Sequence, residues 1–319
     1  TGLIAEHLSF HAGFWMAAGL GIIAMILVAL VCPPSTHRPS QHFDLPGATL
    51  LGLVLAGLLV AISEAEDLGW LSGRLWGLIA ASIVLLGVWI RYELGSHAPL
   101  VDLRIMRNST VVTANVTGLI AGIGMYMMVS MIIRYVQTPT SISYGLGASV
   151  VVAGLVLLPM SAFSFSSSKL VTFLGKWIPV GRILPLGVLV LGVALILLAT
   201  SRGSLWEIFV IMGVGGIGIG SSFAVMPRMI VGAVPAGETS SALALNQVLR
   251  TIGFSIGSAL AATILTAHTA AGQEFPSNEG YTVGAYVGLA LCVIAAAACW
   301  SLSARRRPVV AEPLGQDDR

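Results

Sequence analysis

Nine apolar runs, each long enough to cross about 30 Å of hydrocarbon as a helix, divide this sequence almost from end to end. They fall near residues 10 to 31, 46 to 63, 75 to 92, 110 to 133, 146 to 167, 183 to 200, 205 to 227, 240 to 266 and 281 to 303. Short polar loops join each run to the next, so no stretch is left for a soluble catalytic domain. Composition agrees: 56% of the residues are hydrophobic and 9% charged, where a soluble globule carries about a quarter charged. The expected fold class is therefore all-α, a polytopic membrane protein with nine transmembrane helices. Its first partner is the lipid bilayer, and a net charge of +2 gives no reason to expect nucleic acid.

Orientation follows from the cations, because cytoplasmic loops collect Lys and Arg. The loops alternate. One set holds Arg38, Arg91, Arg104, Arg107, Lys169, Lys176, Arg182, Arg228, Arg305, Arg306, Arg307 and Arg319. The other holds Arg74, Arg134 and Arg202, together with the acids Glu64, Glu66, Asp67, Glu274 and Glu279. The first run is thus expected to enter from outside and the C-terminal tail to be cytoplasmic. The sequence opens on Thr1 rather than Met, and an odd number of spans fits a larger protein that lacks its opening half here.

The eighth run carries a cation, Arg250, deep inside an otherwise apolar segment. A charged side chain at mid-bilayer costs about 2.5–3.5 kcal/mol on insertion scales, so it should face other helices or a wet cavity. At 100° per residue Asn246, Arg250, Gly253 and Gly257 lie within about 60° of one another, one stripe down a helix face. A second stripe of Gln247, Thr251 and Ser258 lies about a third of a turn away. Two readings stand: a polar face touching a translocation path, or a buried Arg paired to a carbonyl or acid to hold helices together.

The fourth run places Asn115, Gly118, Gly122 and Tyr126 on one face, with Met125, Met127, Met128 and Met131 crowding its outer half. Methionine is polarizable and adapts to many shapes, so Met125 and Met128 join Asn115, Tyr126, Asn246, Gln247 and Arg250 as candidate lining of a substrate cavity. The fifth run contains Pro159, whose missing N–H kinks a helix. In the seventh run Gly213, Gly216 and Gly220 share one face and Gly215 and Gly218 lie nearly opposite, which predicts close packing on both sides. Gly122, Pro159, Gly213, Gly216, Gly220, Gly253 and Gly257 are the expected packing and gating positions. Lys169, Lys176 and Arg182 mark a tight basic cytoplasmic turn.

Other features argue against chemistry. The second and third runs look poor in buried polar groups, and Asp44 before Pro46 reads as a helix start. Cys32, Cys292 and Cys299 have no C-x-x-C spacing, so neither a disulfide framework nor a metal site is suggested. The glycine string of the seventh run lacks the strand that a nucleotide loop requires. His7, His11, His37, His42, His97 and His268 all fall in loops or at interfaces. No nucleophile with a base stands at one depth, so no catalytic residue and no cofactor is expected.

The ordered series Phe43-Asp44-Leu45-Pro46-Gly47-Ala48, Gly69-Trp70, Pro99-Leu100-Val101-Asp102-Leu103, Gln137-Thr138-Pro139, Tyr144-Gly145, Ala153-Gly154-Leu155, Leu158-Pro159 and Asn246-Gln247 with Arg250 and Gly253 resembles the major facilitator superfamily. More narrowly it is similar to the fourteen-helix drug:proton antiporters of bacteria, especially actinobacterial ones. That resemblance implies a division into residues 1–31, the last helix of an N-terminal bundle; 32–109, a cytoplasmic connection and two extra helices; 110–303, a C-terminal six-helix bundle; and 304–319, a cytoplasmic tail. It implies efflux of hydrophobic or cationic small molecules across a bacterial plasma membrane, with the proton as coupling ion and the rest of the same protein as partner. Another cargo, such as an amino acid, siderophore or lipid, would suit the same scaffold, while Arg250 could repel cations or bind an anion. The basic turn departs from the family loop it resembles, with Ser168 where Gly is usual and Thr172 where Asp is usual. No run after residue 110 holds a mid-membrane Asp or Glu, so proton-carrying acids are expected upstream.

Overall fold

Apolar runs with Ser, Asn or Asp at their polar edges form helices that begin where a side chain can take over an orphaned N–H. The computed structural model describes residues 10–31, 44–68, 72–96, 99, 103–270 and 272–304. Its α-helices are α1 (Phe10–Val31), α2 (Leu45–Leu68), α3 (Gly73–Gly95), α4 (Ser109–Gln137), α5 (Val150–Leu155), α6 (Leu157–Leu174), α7 (Val180–Thr200), α8 (Leu205–Val231), α9 (Thr239–Ala267) and α10 (Asn278–Ala304). Asn108 caps α4 by accepting from Thr110 N at 2.8 Å. Ser204 and Glu207 form a reciprocal capping box at the start of α8, and Asp44 accepts from Gly47 N at 2.9 Å to open α2.

The chain is an all-helical, polytopic membrane protein. Among the described residues eight spans are long and apolar enough to cross a membrane, with α5 and α6 forming one of them, Val150–Leu174. The ninth expected span is α2, a helix of residues Leu45–Leu68 whose described apolar stretch is Leu45–Ala61. Several expectations fall outside the described residues: the segments 1–9, 32–43 and 305–319, with Cys32, Arg38 and the terminal arginines, and also Gly69-Trp70 and Leu100-Val101-Asp102.

The fifth span begins later and runs further than expected, 150–174 in place of 146–167. Residues 138–149 fold back on the end of α4, with Gly147 N donating to Thr138 O at 2.8 Å and Ala148 N to Val136 O at 3.0 Å. Gly147 sits at φ +59, in the left-handed region that glycine enters without a Cβ clash. At the other end Lys169 lies within α6, Lys176 in the turn and Arg182 in the first turn of α7, all exposed. The basic cluster is therefore spread over two helix ends and their link rather than held in one loop. Arg228, at the end of α8, reaches it through a 3.1 Å bond to Thr172 Oγ1.

Packing is organised by α4 and α8. Helix α4 lies against α9, α10 and α8, while α8 lies against α7 and α6, and α10 against α7. The glycines of α8 set these distances. A Cβ on Gly216 would stand 2.5 Å from Met160 O, and one on Gly220 2.5 Å from Ser164 Cα, both on α6. On the opposite face a Cβ on Gly218 would stand 2.5 Å from Leu191 N on α7, and one on Gly215 2.5 Å from Met128 Cε on α4. Gly213 packs on Phe163 and Pro159. Pro159 itself follows the break at Val156 that separates α5 from α6, where it cannot supply an N–H to the preceding turn.

Outside this bundle α2 and α3 pair as a hairpin, and α2 also leans on α9. The hairpin is less apolar inside than its sequence suggests. Trp89 Nε1 donates to Gly47 O at 3.1 Å, Tyr92 OH to Asp44 Oδ1 at 3.0 Å, and Ser82 and Glu93 are buried. Ser82 is answered within its own helix by Leu78 O at 2.8 Å, whereas Trp89 and Tyr92 reach across to the start of α2, a pairing that one-helix periodicity cannot register. Helix α1 buries none of its most apolar stretch among the described residues.

Candidate functional site

The polar stripe of α9 meets α4 along a seam where backbones touch. A Cβ on Gly253 would collide with the Leu119 carbonyl and one on Gly257 with the Ile123 carbonyl, while one on Gly122 would stand 2.8 Å from Arg250 O. Two amides are locked into this seam. Asn246 Nδ2 donates to Asn115 Oδ1 at 3.0 Å and to Ala114 O at 3.3 Å, and Asn115 Nδ2 lies 3.3 Å from Met106 Sδ. Both asparagines are buried. They tie helices together, so the expectation that Asn115 and Asn246 line an open cavity is corrected. A mid-membrane amide costs less when another polar group answers it, and here Asn115 Oδ1 accepts from Asn246 Nδ2.

Met128 is corrected as well. It is fully buried, with its Cε seated under Gly215, and together with Met127, Met131 and Met212 it fills the core between α4, α7 and α8. Met125 is half-buried, and Tyr126 is 38% exposed. The second stripe of α9 divides: Gln247 and Thr251 are exposed, whereas Ser258 turns back to Ser130 on α4 at 3.4 Å.

What gathers on the open side of the seam is aromatic. Tyr126 stacks on Phe254, with ring centroids 5.1 Å apart and planes at 24°, and Phe254 stands 6.2 Å from Phe223 of α8. The guanidinium carbon of Arg250 lies 3.6 Å from the Phe223 ring centroid, within the range of a cation–π contact. The Arg250 stem crosses α4 beside Gly118, where a Cβ would stand 3.2 Å from its Cγ. Tyr126, Phe254, Phe223, Arg250, Gln247 and Thr251 thus form one half-open strip. Flat rings with one cation at their edge suit broad apolar molecules better than small polar ones. Phe223 and Phe254 were not singled out by sequence; their signal was spacing, Phe254 lying one turn past Arg250 and Phe223 one turn past Gly220.

At the far end of the bundle from Lys176, Arg202 behaves differently from the loop cation expected of it. It is 8% exposed, and every guanidinium nitrogen donates: Nη1 to Leu198 O at 2.7 Å and Ala199 O at 3.0 Å, Nε to Asn278 Oδ1 at 3.1 Å, and Nη2 to Asn278 O at 2.8 Å and Thr282 Oγ1 at 2.6 Å. It closes the C-terminus of α7 onto the start of α10. A cleft of about 510 Å³ beside it is lined by Tyr135, Tyr144, Arg202, Asn278 and Thr282. Those groups are spent on one another and on the Tyr144–Pro276 bond, so the cleft is less suited to a ligand than the strip on α9.

Comparison with known proteins places this chain beside multidrug resistance proteins. No family model matches it. It is 26% identical over 298 residues to MdtD of Escherichia coli O127:H6, named as a candidate multidrug resistance protein; the match covers 92% of this chain and 62% of that one. It is 25% identical over 279 residues to multidrug resistance protein Stp of Mycobacterium tuberculosis, covering 86% of this chain and 50% of Stp. The chain therefore spans about half to three-fifths of the length of these curated relatives.

Proposed function

We propose that this chain is the C-terminal part of a major facilitator exporter of the fourteen-helix drug:proton antiporter branch, moving hydrophobic or cationic small molecules out of a bacterial cell. Residues 110–303 would be its C-terminal bundle, 32–109 the connection with two extra helices, 1–31 the last helix of the N-terminal bundle and 304–319 a cytoplasmic tail. The half-open strip of Tyr126, Phe254, Phe223 and Arg250 carries this reading. It supplies the aromatic, adaptable contact that a broad-specificity cavity needs, in a chain of which 92% and 86% match two multidrug resistance proteins. Alternating access would rock the two bundles about that cavity, with the α8 and α9 glycines holding this bundle's own helices close. The work is transport, not catalysis.

Everted membrane vesicles carrying the full-length protein test the proposal. Ethidium should accumulate against its gradient on energisation, and a protonophore should abolish the accumulation. Accumulation that survives the protonophore would remove proton coupling, and none in either condition would remove the drug-exporter assignment.

A further inference from the structure

The chain contains two buried or half-buried arginines among its described helices and loops that are solved in opposite ways. Arg202 has an acceptor for each nitrogen. Arg250 makes no hydrogen bond or ion pair among the described residues, and its Nε is buried without an acceptor. The guanidinium carbon lies over the Phe223 ring, 3.6 Å from its centroid.

No acid of the bundle can answer it. Residues 110–303 contain four, Glu207, Glu238, Glu274 and Glu279, and all lie at helix ends or in loops. Glu238, the nearest along the chain, precedes Arg250 by twelve residues, about 18 Å of helix. A guanidinium carried over an aromatic ring, which offers no oxygen, keeps its terminal N–H donors for bidentate pairing with a planar oxyanion. Gln247 and Thr251, within one helical turn of Arg250 on α9, are exposed.

We propose that Arg250 is a carboxylate-binding residue, its two terminal Nη donors receiving two oxygens from a partner that is not among the described residues. The carboxylate comes either from the cargo or from the further length that the relatives possess and this chain does not. Only the cargo source rests on the exporter reading. In the first case the charge of Arg250 selects among cargoes, an anionic group docking beside Phe223; in the second it ties this bundle to the rest of the protein and leaves cargo choice unchanged.

The test uses full-length protein in lipid nanodiscs and two dyes, rhodamine B and its ethyl ester, which share a cationic ring system and differ in a free carboxylate. If cargo supplies the anion, Arg250→Gln weakens rhodamine B binding by about tenfold or more, leaves the ester within about twofold, and Arg250→Lys falls between. If the protein supplies it, both dyes bind Arg250→Gln as they bind the parent, Arg250→Glu loses its thermal midpoint, and an upstream Asp or Glu changed to Arg restores it. Unchanged affinity for both dyes without such charge-swap recovery overturns the proposal. So does a parent that binds neither dye and shows no recovery. A parent that binds rhodamine B through Arg250 yet moves nothing across vesicles retires the exporter reading and keeps the site.

Discussion

Alanine at Gly257 adds one carbon where the Ile123 carbonyl carbon and Cα stand 3.0 Å away and the carbonyl oxygen is nearer still. At Gly253 the added carbon meets the Leu119 carbonyl in the same way, with the carbonyl carbon at 3.1 Å. These are backbone atoms inside α4, so no rotamer change relieves the overlap and the two helices must separate. Carbon–carbon contacts are comfortable at about 3.5–4.0 Å, so the seam has to open by roughly 0.5–1 Å. Overpacking of this kind costs about 1–3 kcal/mol. Opening also stretches the 3.0 Å bond between Asn246 and Asn115, which is worth about 1 kcal/mol. The expected loss is therefore about 2–4 kcal/mol for either substitution. Gly87 on α3 is the control, since a Cβ there meets nothing within 4 Å and alanine in an unobstructed helix gains up to about 1 kcal/mol. Thermal unfolding of full-length protein in nanodiscs measures all three. Gly253→Ala and Gly257→Ala should melt clearly below the parent and Gly87→Ala at or above it. The double variant should lose less than the sum, because one opening accommodates both carbons. Equal melting of Gly257→Ala and Gly87→Ala would refute the backbone contact.

The buried amide pair gives a second test. Asn115→Leu or Asn246→Leu alone leaves one amide unanswered and should cost about 1–3 kcal/mol, whereas the double substitution should recover much of that in the same thermal assay. Arg202→Met should lower the midpoint further than a surface change, because it orphans the carbonyls of Leu198 and Ala199 and the Asn278 side chain; Arg202→Lys should restore only part, lacking the planar fork. With Cys32, Cys292 and Cys299 replaced by alanine, Gln247→Cys and Thr251→Cys should react with a water-soluble thiol reagent in membranes, while Met128→Cys and Asn115→Cys should not. Labelling of position 128 at the rate of position 247 would sink the division between core and open strip.

Much of the fold was legible because each span announces itself by length and apolarity, and glycine spacing alone placed Gly213, Gly216 and Gly220 on one face of α8 and Gly215 and Gly218 on the other. The structure gives those faces their neighbours, α6 on one side and α4 with α7 on the other. Span ends were less legible. Residues 146–149 are apolar enough to extend a helix, but backbone bonds from Gly147 and Ala148 to the end of α4 claim them first. The hairpin of α2 and α3 hid its polar contacts because Trp89 and Tyr92 pair with groups more than forty residues away, a distance that periodicity along one helix does not see.

The candidate site shows why residue type alone misplaced Asn115, Asn246 and Met128. In a membrane bundle a polar side chain has two refuges, a partner across a tight seam or a wet face, and sequence gives the same letter for both. Azimuth relative to glycine separates them here. Asn246 shares its direction with Gly253 and Gly257, so it is drawn into the seam where α4 approaches and finds Asn115 there. Gln247 and Thr251 lie off that line and stay exposed. Arg250 shares the glycine line too, yet its stem is long enough to pass Gly118 and carry the charge out of the seam onto Phe223. A short polar residue at position 250 would be a tie like Asn246. The length of arginine is what carries the charge from a packing position to the half-open strip.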